Sequence, residues 1–316
     1  MKGSASTVLT WSSIANLCLF ILVFCLGTWV AEDYPITTVI AYAPPMIWLV
    51  PALVLVACSF GKRNRNWLKL NAACLILFGW VLLGIHIPFR ADRSGSEGTF
   101  TLMTFNMMSD SGTYDKVLDI IRENNPDVIC LQEANLFGEA GYDDKKFPGY
   151  HVFHQKGIAV GTKIRPVKNF HVPLFPGYPG AVEVELPNGV RVVAVHLSYH
   201  RIGSVGRKAI PGHLQTVSKM HAVEVDMLAT RYAGRPKVVI AGDFNLPPRG
   251  HIYSKMRQHF TDAFASAGWL TGYTWPSNFP VQRIDYAFTT DLKVQSAKTI
   301  SSTVSNHLPV LFRFKL

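Results

Sequence analysis

The chain has 316 residues, of which 48% are apolar and only 16% charged, and its mean hydropathy is positive at +0.17. That balance is unusual for a protein wetted on all sides and points to segments that meet lipid before any motif is read. The formal net charge is +10; only five of the 31 Lys and Arg and two of the 21 Asp and Glu precede Arg90, so most of the basic excess lies after it. Such an excess suits an anionic partner (a phosphoester, a nucleic acid or a lipid headgroup), and equally a solvated basic surface.

No charged residue lies between Lys2 and Glu32, and Trp11–Ala31 is long enough to cross a hydrocarbon core as a helix. A second uncharged stretch runs over Tyr34–Gly61, with a span expected at 38–60 and with Pro44, Pro45 and Pro51 placed to kink it. Leu70–Phe89 is the third. Trp and Tyr near the segment ends fit membrane interfaces, and the basic loop Lys62, Arg63, Arg65 and Lys69 is assigned to the cytoplasm. The N-terminus is then cytoplasmic and everything after Phe89 extracytoplasmic, in a multi-pass protein of the plasma (inner) membrane. A signal peptide with Lys2 as its basic region is the alternative for the first segment. Residues 1–90 thus form a membrane domain, 91–98 a polar linker, and 99–316 a separate domain kept near the bilayer.

From Thr99 the pattern changes to short strands separated by helices. Strands are expected at 99–104, 127–131, 150–154, 158–162, 181–186, 191–197, 238–241, 284–288, 292–298 and 310–314. Asn188-Gly189 marks a hairpin. Apolar spacing predicts helices at 115–124, with Val117, Ile120 and Ile121 on one face, and at 214–232. This alternation implies a layered α/β sandwich. Strand after strand ends in a side chain capable of chemistry: Asn106, Glu133, His196, Asp243 with Asn245, Asp285 and His307. Ligands gather at such ends in α/β sheets, so these residues are candidates for one site. Taken alone, Gly242-Asp243-Phe244-Asn245 reads either as an Asx-turn or as a holder of water or metal, with Gly242 allowing the turn. The five cysteines (18, 25, 58, 74 and 130) show no CxxC pair, zinc spacing or disulfide framework, and are read as free, buried thiols.

The series Thr104-Phe105-Asn106, Leu131-Gln132-Glu133, His196-Leu197-Ser198, Gly242-Asp243-Phe244-Asn245, Arg283-Ile284-Asp285-Tyr286 and Ser305-Asn306-His307-Leu308-Pro309 resembles, in order, the endonuclease/exonuclease/phosphatase family. The resemblance spans Thr99–Leu316. It implies a deoxyribonuclease I-like four-layer sandwich of two packed sheets flanked by helices, and a Mg²⁺-dependent (or Mn²⁺-dependent) phosphoester hydrolase. It implies Glu133 as the principal metal ligand with Asn106 beside it, and Asp243 as the group that orients or deprotonates the attacking water. Asn245 would hold the phosphate or that water. His307 would contact the scissile phosphate with Asp285 fixing its tautomer, and His196 would assist the leaving oxygen. The family's usual Ser-Asp-His is here Ser305-Asn306-His307, which removes a negative charge and puts a second metal position in question.

His200, Arg201, Arg207 and Lys208, with Asn306, are candidates to line the substrate entrance, as is His213. They suit a nucleic-acid backbone or a lipid phosphate group alike. Three readings are open: a membrane-anchored phosphodiesterase or phosphatase acting on lipid headgroups, an extracytoplasmic nuclease, and a non-catalytic binding protein on the same fold. Only Asn306 supports the third.

Overall fold

A computed structural model describes residues 2–61, 65–88, 97–108, 112–135, 141–176, 180–200 and 202–316. The chain divides into two compact units: Met1–Ile85 with Arg249–His251, and His86–Pro248 with Ile252–Leu316.

The first unit is helical, with α1 (Lys2–Cys25), α2 (Pro35–Tyr42), α3 (Val50–Gly61) and α4 (Arg65–Leu83). Two stretches, Thr7–Asp33 and Arg65–Leu83, are long and apolar enough to cross a membrane. The second expected span is not one straight helix. Its halves, Pro35–Tyr42 and Pro45–Phe60, lie 88° apart, because Ala43 before Pro44 is extended (ψ 146°). Proline lacks the N–H needed to continue a helix and drives its predecessor out of the helical region. The third span begins at Arg65 and stops at Leu83, well short of Phe89, since Gly84 takes φ +64° as a left-handed C-cap. Lys62 and Arg63 of the basic loop, and residues 91–96 of the linker, lie outside the described residues.

Large apolar side chains point outward in this unit: Trp11, Trp29, Phe60 and Ile76 are 66–73% exposed. Inside it, Asn71 Nδ2 donates to Ser13 Oγ at 3.0 Å and Ser59 Oγ at 3.2 Å, linking α1, α3 and α4. Among the described residues of this unit, polar contacts thus lie within and large apolar side chains face outward. The same arrangement corrects the expectation of five buried thiols. Cys18 and Cys58 are exposed on outward faces, Cys25 is half-buried, and Cys74 and Cys130 are buried; all five are free.

The second unit is built on two sheets. One has seven strands in the order β12-β13-β1-β2-β5-β4-β3: β1 (Thr99–Asn106), β2 (Val128–Gln132), β3 (Gly141–Tyr142), β4 (His151–Gln155), β5 (Ile158–Thr162), β12 (Lys293–Thr299) and β13 (Val310–Lys315). The other has six in the order β10-β11-β9-β8-β7-β6: β6 (Lys168–Val172), β7 (Gly180–Glu185), β8 (Arg191–His196), β9 (Val238–Asp243), β10 (Thr261–Asp262) and β11 (Asp285–Thr289). Among the described residues four α-helices complete it: α5 (Tyr114–Asn124), α6 (Ile210–Tyr232), α7 (Gly250–His259) and α8 (Ala263–Ala267).

Strand periodicity decides which face each residue serves. Leu102, Val128, Cys130, Val160, Val182, Val184, Val192, Ala194, Val239 and Ala241 share one core cluster between the sheets. Their alternates Met103, Phe105, Ile129 and Leu131 cluster instead with Val117, Leu118 and Ile121 of α5. Over the second sheet lies α6, where Tyr232 donates to Glu183 Oε2 of β7 at 2.8 Å. The result is the expected sandwich of two mixed sheets flanked by helices, a deoxyribonuclease I-like fold.

Two parallel pairs, β1 with β2 and β8 with β9, sit near the middle of the sheets while their other neighbours run antiparallel. They bring the carboxyl ends of four strands to one edge of the sandwich, where a side chain of β1 bonds one of β9. Gly242 serves this arrangement differently from expectation. It lies inside β9, paired with Val195 and Tyr286, and a Cβ there would come within 2.0 Å of the Val195 carbonyl oxygen. The glycine allows two parallel strands to approach closely, while the turn falls later, at Asn245 with φ +52°.

Candidate active site

Strand ends place most of the side chains at this edge, while His307 stands in the bend before β13. Asn106 closes β1 and is buried. Its Nδ2 donates to Asp243 Oδ2 at 3.0 Å and to Glu133 Oε1 at 3.2 Å, spanning the two sheets. Glu133 comes directly after β2 in the left-handed region, φ +51°, a conformation uncommon for a residue with a side chain and frequent at functional sites. Asp243 closes β9 with both oxygens engaged, since Asn245 N–H donates to Oδ1 at 2.9 Å. Asn245 Nδ2 donates in turn to Leu197 O at 3.1 Å.

The histidines stand on either side of Asp243. His196 Nε2 is 3.8 Å from Asp243 Oδ2 and 4.0 Å from Glu133 Oε1. His307 Nε2 is also 3.8 Å from Asp243 Oδ2, and its Nδ1 bonds Asp285 Oδ2 at 2.9 Å. Register places Asp285 directly opposite Asp243 on antiparallel β11 and β9. All seven residues read from the sequence as catalytic or metal-binding therefore converge on one site.

Electrostatics divides the work within it. Burial pulls the His307 pKa down, but the Asp285 and Asp243 carboxylates push it further the other way, to about 9, so the ring is an imidazolium at neutral pH. Burial raises the Asp243 pKa, and the Asp285 carboxylate adds to the rise. His307, His196 and the Asn106 hydrogen bond oppose it. A carboxylate made more basic by its surroundings, with a cationic imidazole beside it, can take a proton from water while the cation faces an anion.

The donor set also bears on a metal. Asp243, Asp285 and His307 have ligand atoms mutually within 4.8 Å, but all three are buried and His307 Nδ1 is committed to Asp285. Glu133, with its side chain 37% exposed, is the better fit to a hard cation that retains waters. Asn106 departs from expectation: its Oδ1 accepts from Met108 N–H at 3.1 Å and its Nδ2 faces the carboxylates. The amide must turn over before its oxygen can reach an ion beside Glu133.

The candidates for the substrate entrance do not share one environment. Arg207 and Lys208 are exposed on a short 3₁₀ turn. His200 packs edge-on against His213 and His221, with ring centroids 6.3 and 5.6 Å away. Burial, then His221 and His213, lower its pKa to about 3, so it contributes no positive charge for an anion. Asn306 is exposed, its carbonyl accepting from Ser277 N–H at 2.8 Å. Arg201 lies outside the described residues.

Two further residues complete the frame. Ser305 Oγ donates to Asn106 O at 2.7 Å and accepts from His307 N–H at 3.2 Å, tying the first strand of the unit to its last motif. Tyr199 stacks on His196, with centroids 6.1 Å apart and planes at 13°. Ser305 stands within a legible motif; Tyr199 carries no sequence signal beyond its nearness to His196.

Among curated proteins none matches this chain. Solved structures do match in fold. The 3' phosphatase NExo from Neisseria, bound to product DNA hairpin, is 18% identical with a TM-score of 0.54, covering 69% of this chain and 100% of its own. The 3'-5' exonuclease NExo from Neisseria Meningitidis is 19% identical with a TM-score of 0.53, over 68% and 100%. An AP endonuclease from Archaeoglobus fulgidus is 18% identical with a TM-score of 0.55, over 69% and 100%. The family model matches residues 103–307, a range that contains all seven residues of the site. The chain belongs to the endonuclease/exonuclease/phosphatase family.

Proposed function

We propose that this protein is a membrane-anchored, metal-dependent phosphodiesterase that acts outside the cytoplasm, with nucleic acid as its preferred substrate. One observation supports the chemistry above others: two histidine Nε2 atoms each lie 3.8 Å from Asp243 Oδ2, and Asp285 bonds the far nitrogen of one of them, His307, at 2.9 Å. Asp243 orients and deprotonates the attacking water, with Asn106 and Asn245 fixing the direction of its two oxygens. The His307 imidazolium faces the phosphoryl oxygens, where charge accumulates as the bond breaks. His196 assists the departing oxygen. Glu133 holds a divalent cation, Mg²⁺ by its oxygen chemistry, which supplies further charge neutralisation when bound.

The substrate preference rests on a protein of the same fold whose structure holds a product DNA hairpin and on the basic balance after Arg90. The apolar spans favour a second reading, hydrolysis at lipid headgroups. The test uses the full chain in detergent micelles with Mg²⁺, offered plasmid DNA, a 3'-phosphorylated DNA hairpin and phospholipid vesicles in parallel. Cleavage of DNA alone is expected. Release of phosphate esters from vesicles alone would replace nucleic acid with lipid, and no cleavage of any substrate would remove the hydrolase reading.

The proposed side of the membrane does not depend on how the bent second stretch is counted. The basic residues Arg65 and Lys69 open the last span, so the positive-inside rule puts the domain C-terminal to that span outside. Counting the bent pair as a span changes only the side of the N-terminus. In sealed right-side-out vesicles, externally added protease is expected to digest the catalytic domain. Protection there, with digestion after detergent, would reverse the orientation.

A further inference from the structure

A fully buried acid with no part in the proposed hydrolysis lies directly behind the site. Glu224 on α6 is 0% exposed. Its two carboxylate oxygens accept from Ser198 N–H at 3.2 and 3.1 Å, and Oε1 also accepts from Ser198 Oγ at 2.9 Å. One turn earlier on the same helix, His221 Nε2 donates to the Ser198 carbonyl. Ser198 is therefore held at its amide, its hydroxyl and its carbonyl by two residues of one helix.

The segment so held performs two tasks. Two residues before Ser198, His196 ends β8 beside Asp243. Between them Leu197 donates its N–H to Asp243 O at 3.0 Å and accepts from Asn245 Nδ2 at 3.1 Å. One residue after Ser198, Tyr199 lies flat against the His196 ring. Pairing with β9 carries the chain only as far as Leu197; beyond it β8 has ended, and side chains of α6 hold Ser198 instead.

We propose that Glu224 is a positioning residue of the hydrolytic site: by clamping Ser198 it fixes the His196–Tyr199 segment, and through Leu197 it fixes Asn245. This rests on the proposed hydrolase function. Burial raises the Glu224 pKa to about 7 against the opposing Ser198 hydrogen bonds, which shows how far from water the clamp operates. The groups facing it are Ser198 and, through the Ser198 carbonyl, His221, itself kept neutral chiefly by burial.

Full-length wild type, Glu224→Gln, Glu224→Ala and Ser198→Ala are compared by steady-state kinetics on the substrate that wild type cleaves, with rates scaled to the folded fraction. Glu224→Ala is expected to lower kcat by about 10- to 100-fold with KM little changed, the scale of a misplaced catalytic group. Glu224→Gln, which keeps an acceptor oxygen, should restore most of the rate, and Ser198→Ala should fall between. Amide hydrogen exchange provides an activity-independent measurement: the 196–200 segment and Asn245 should exchange faster in Glu224→Ala, while β1 and β13 remain unchanged. Wild-type kcat together with wild-type exchange in Glu224→Ala would overturn the clamp. So would a kcat loss that the glutamine variant does not relieve. A wild type inert towards every phosphodiester would count against the hydrolase reading, and the exchange measurement would still decide whether Glu224 holds the segment.

Discussion

Asp243→Asn is expected to lower kcat by about 10²- to 10⁴-fold, the range associated with loss of a general base. The substitution keeps the shape of the side chain and removes its capacity to accept a proton from water. It also removes a buried negative charge that its surroundings do not fully compensate, since burial is the largest influence on this group and raises its pKa. Stability should therefore hold or rise while activity falls, the trade-off expected where a strained group serves function. Urea unfolding alongside kcat separates the two effects. A variant with kcat within threefold of wild type would take Asp243 out of the base role, and one that loses stability along with activity would assign the residue to the frame. The pH profile has a direction as well. Asp243 must be ionised to act, so a raised pKa puts the acid limb of wild-type kcat/KM above the ordinary aspartate range.

Much of this site was legible because its residues stand at strand ends, and strand ends can be read from hydrophobic runs. Val238–Ala241 and Asp127–Leu131 are apolar stretches with abrupt polar stops, and Asp243 and Glu133 come just after those stops. Element boundaries in the second unit came within a few residues for the same reason, the core being built from period-2 alternation. Elements without such a pattern escaped notice. Strand β6 has the sequence KNFHV at a sheet edge, with two of its five residues exposed and only one buried, and α7 reads GHIYSKMRQH with no long apolar stripe.

Glu224 was hidden for a different reason. A glutamate on a helix reads as a solvated face, and only the packing of α6 over the second sheet turns it toward Ser198. His200 misled in the opposite direction. Its sequence neighbours Arg201 and Arg207 made it look like part of a basic entrance, whereas the fold gathers it with His213 and His221. In the first unit, the prolines announced a break in the second apolar stretch, while the 88° angle comes from the extended backbone at Ala43 before Pro44, which composition alone does not specify.

Asp285→Asn should act on His307 without touching the substrate. The asparagine oxygen can still accept from Nδ1–H, so the tautomer is retained and only the charge is lost. Burial then opposes protonation with one carboxylate fewer against it, and the His307 pKa falls from about 9. If the imidazolium is the form that meets the phosphate, the alkaline limb of kcat/KM moves to lower pH, and activity at pH 8 drops by about 10- to 100-fold while activity near pH 6 is less affected. Stability reports on the same proton. A histidine whose folded pKa lies above its unfolded value stabilises the fold fully below the unfolded value, and that stability disappears as pH rises through the folded one. For His307 the window runs from about 6.5 to about 9 and amounts to on the order of 3 kcal/mol. Wild type should lose that increment across the window, and Asp285→Asn should show a shallower slope. An alkaline limb that does not move in the variant would mean that His307 does not act as the cation of this site.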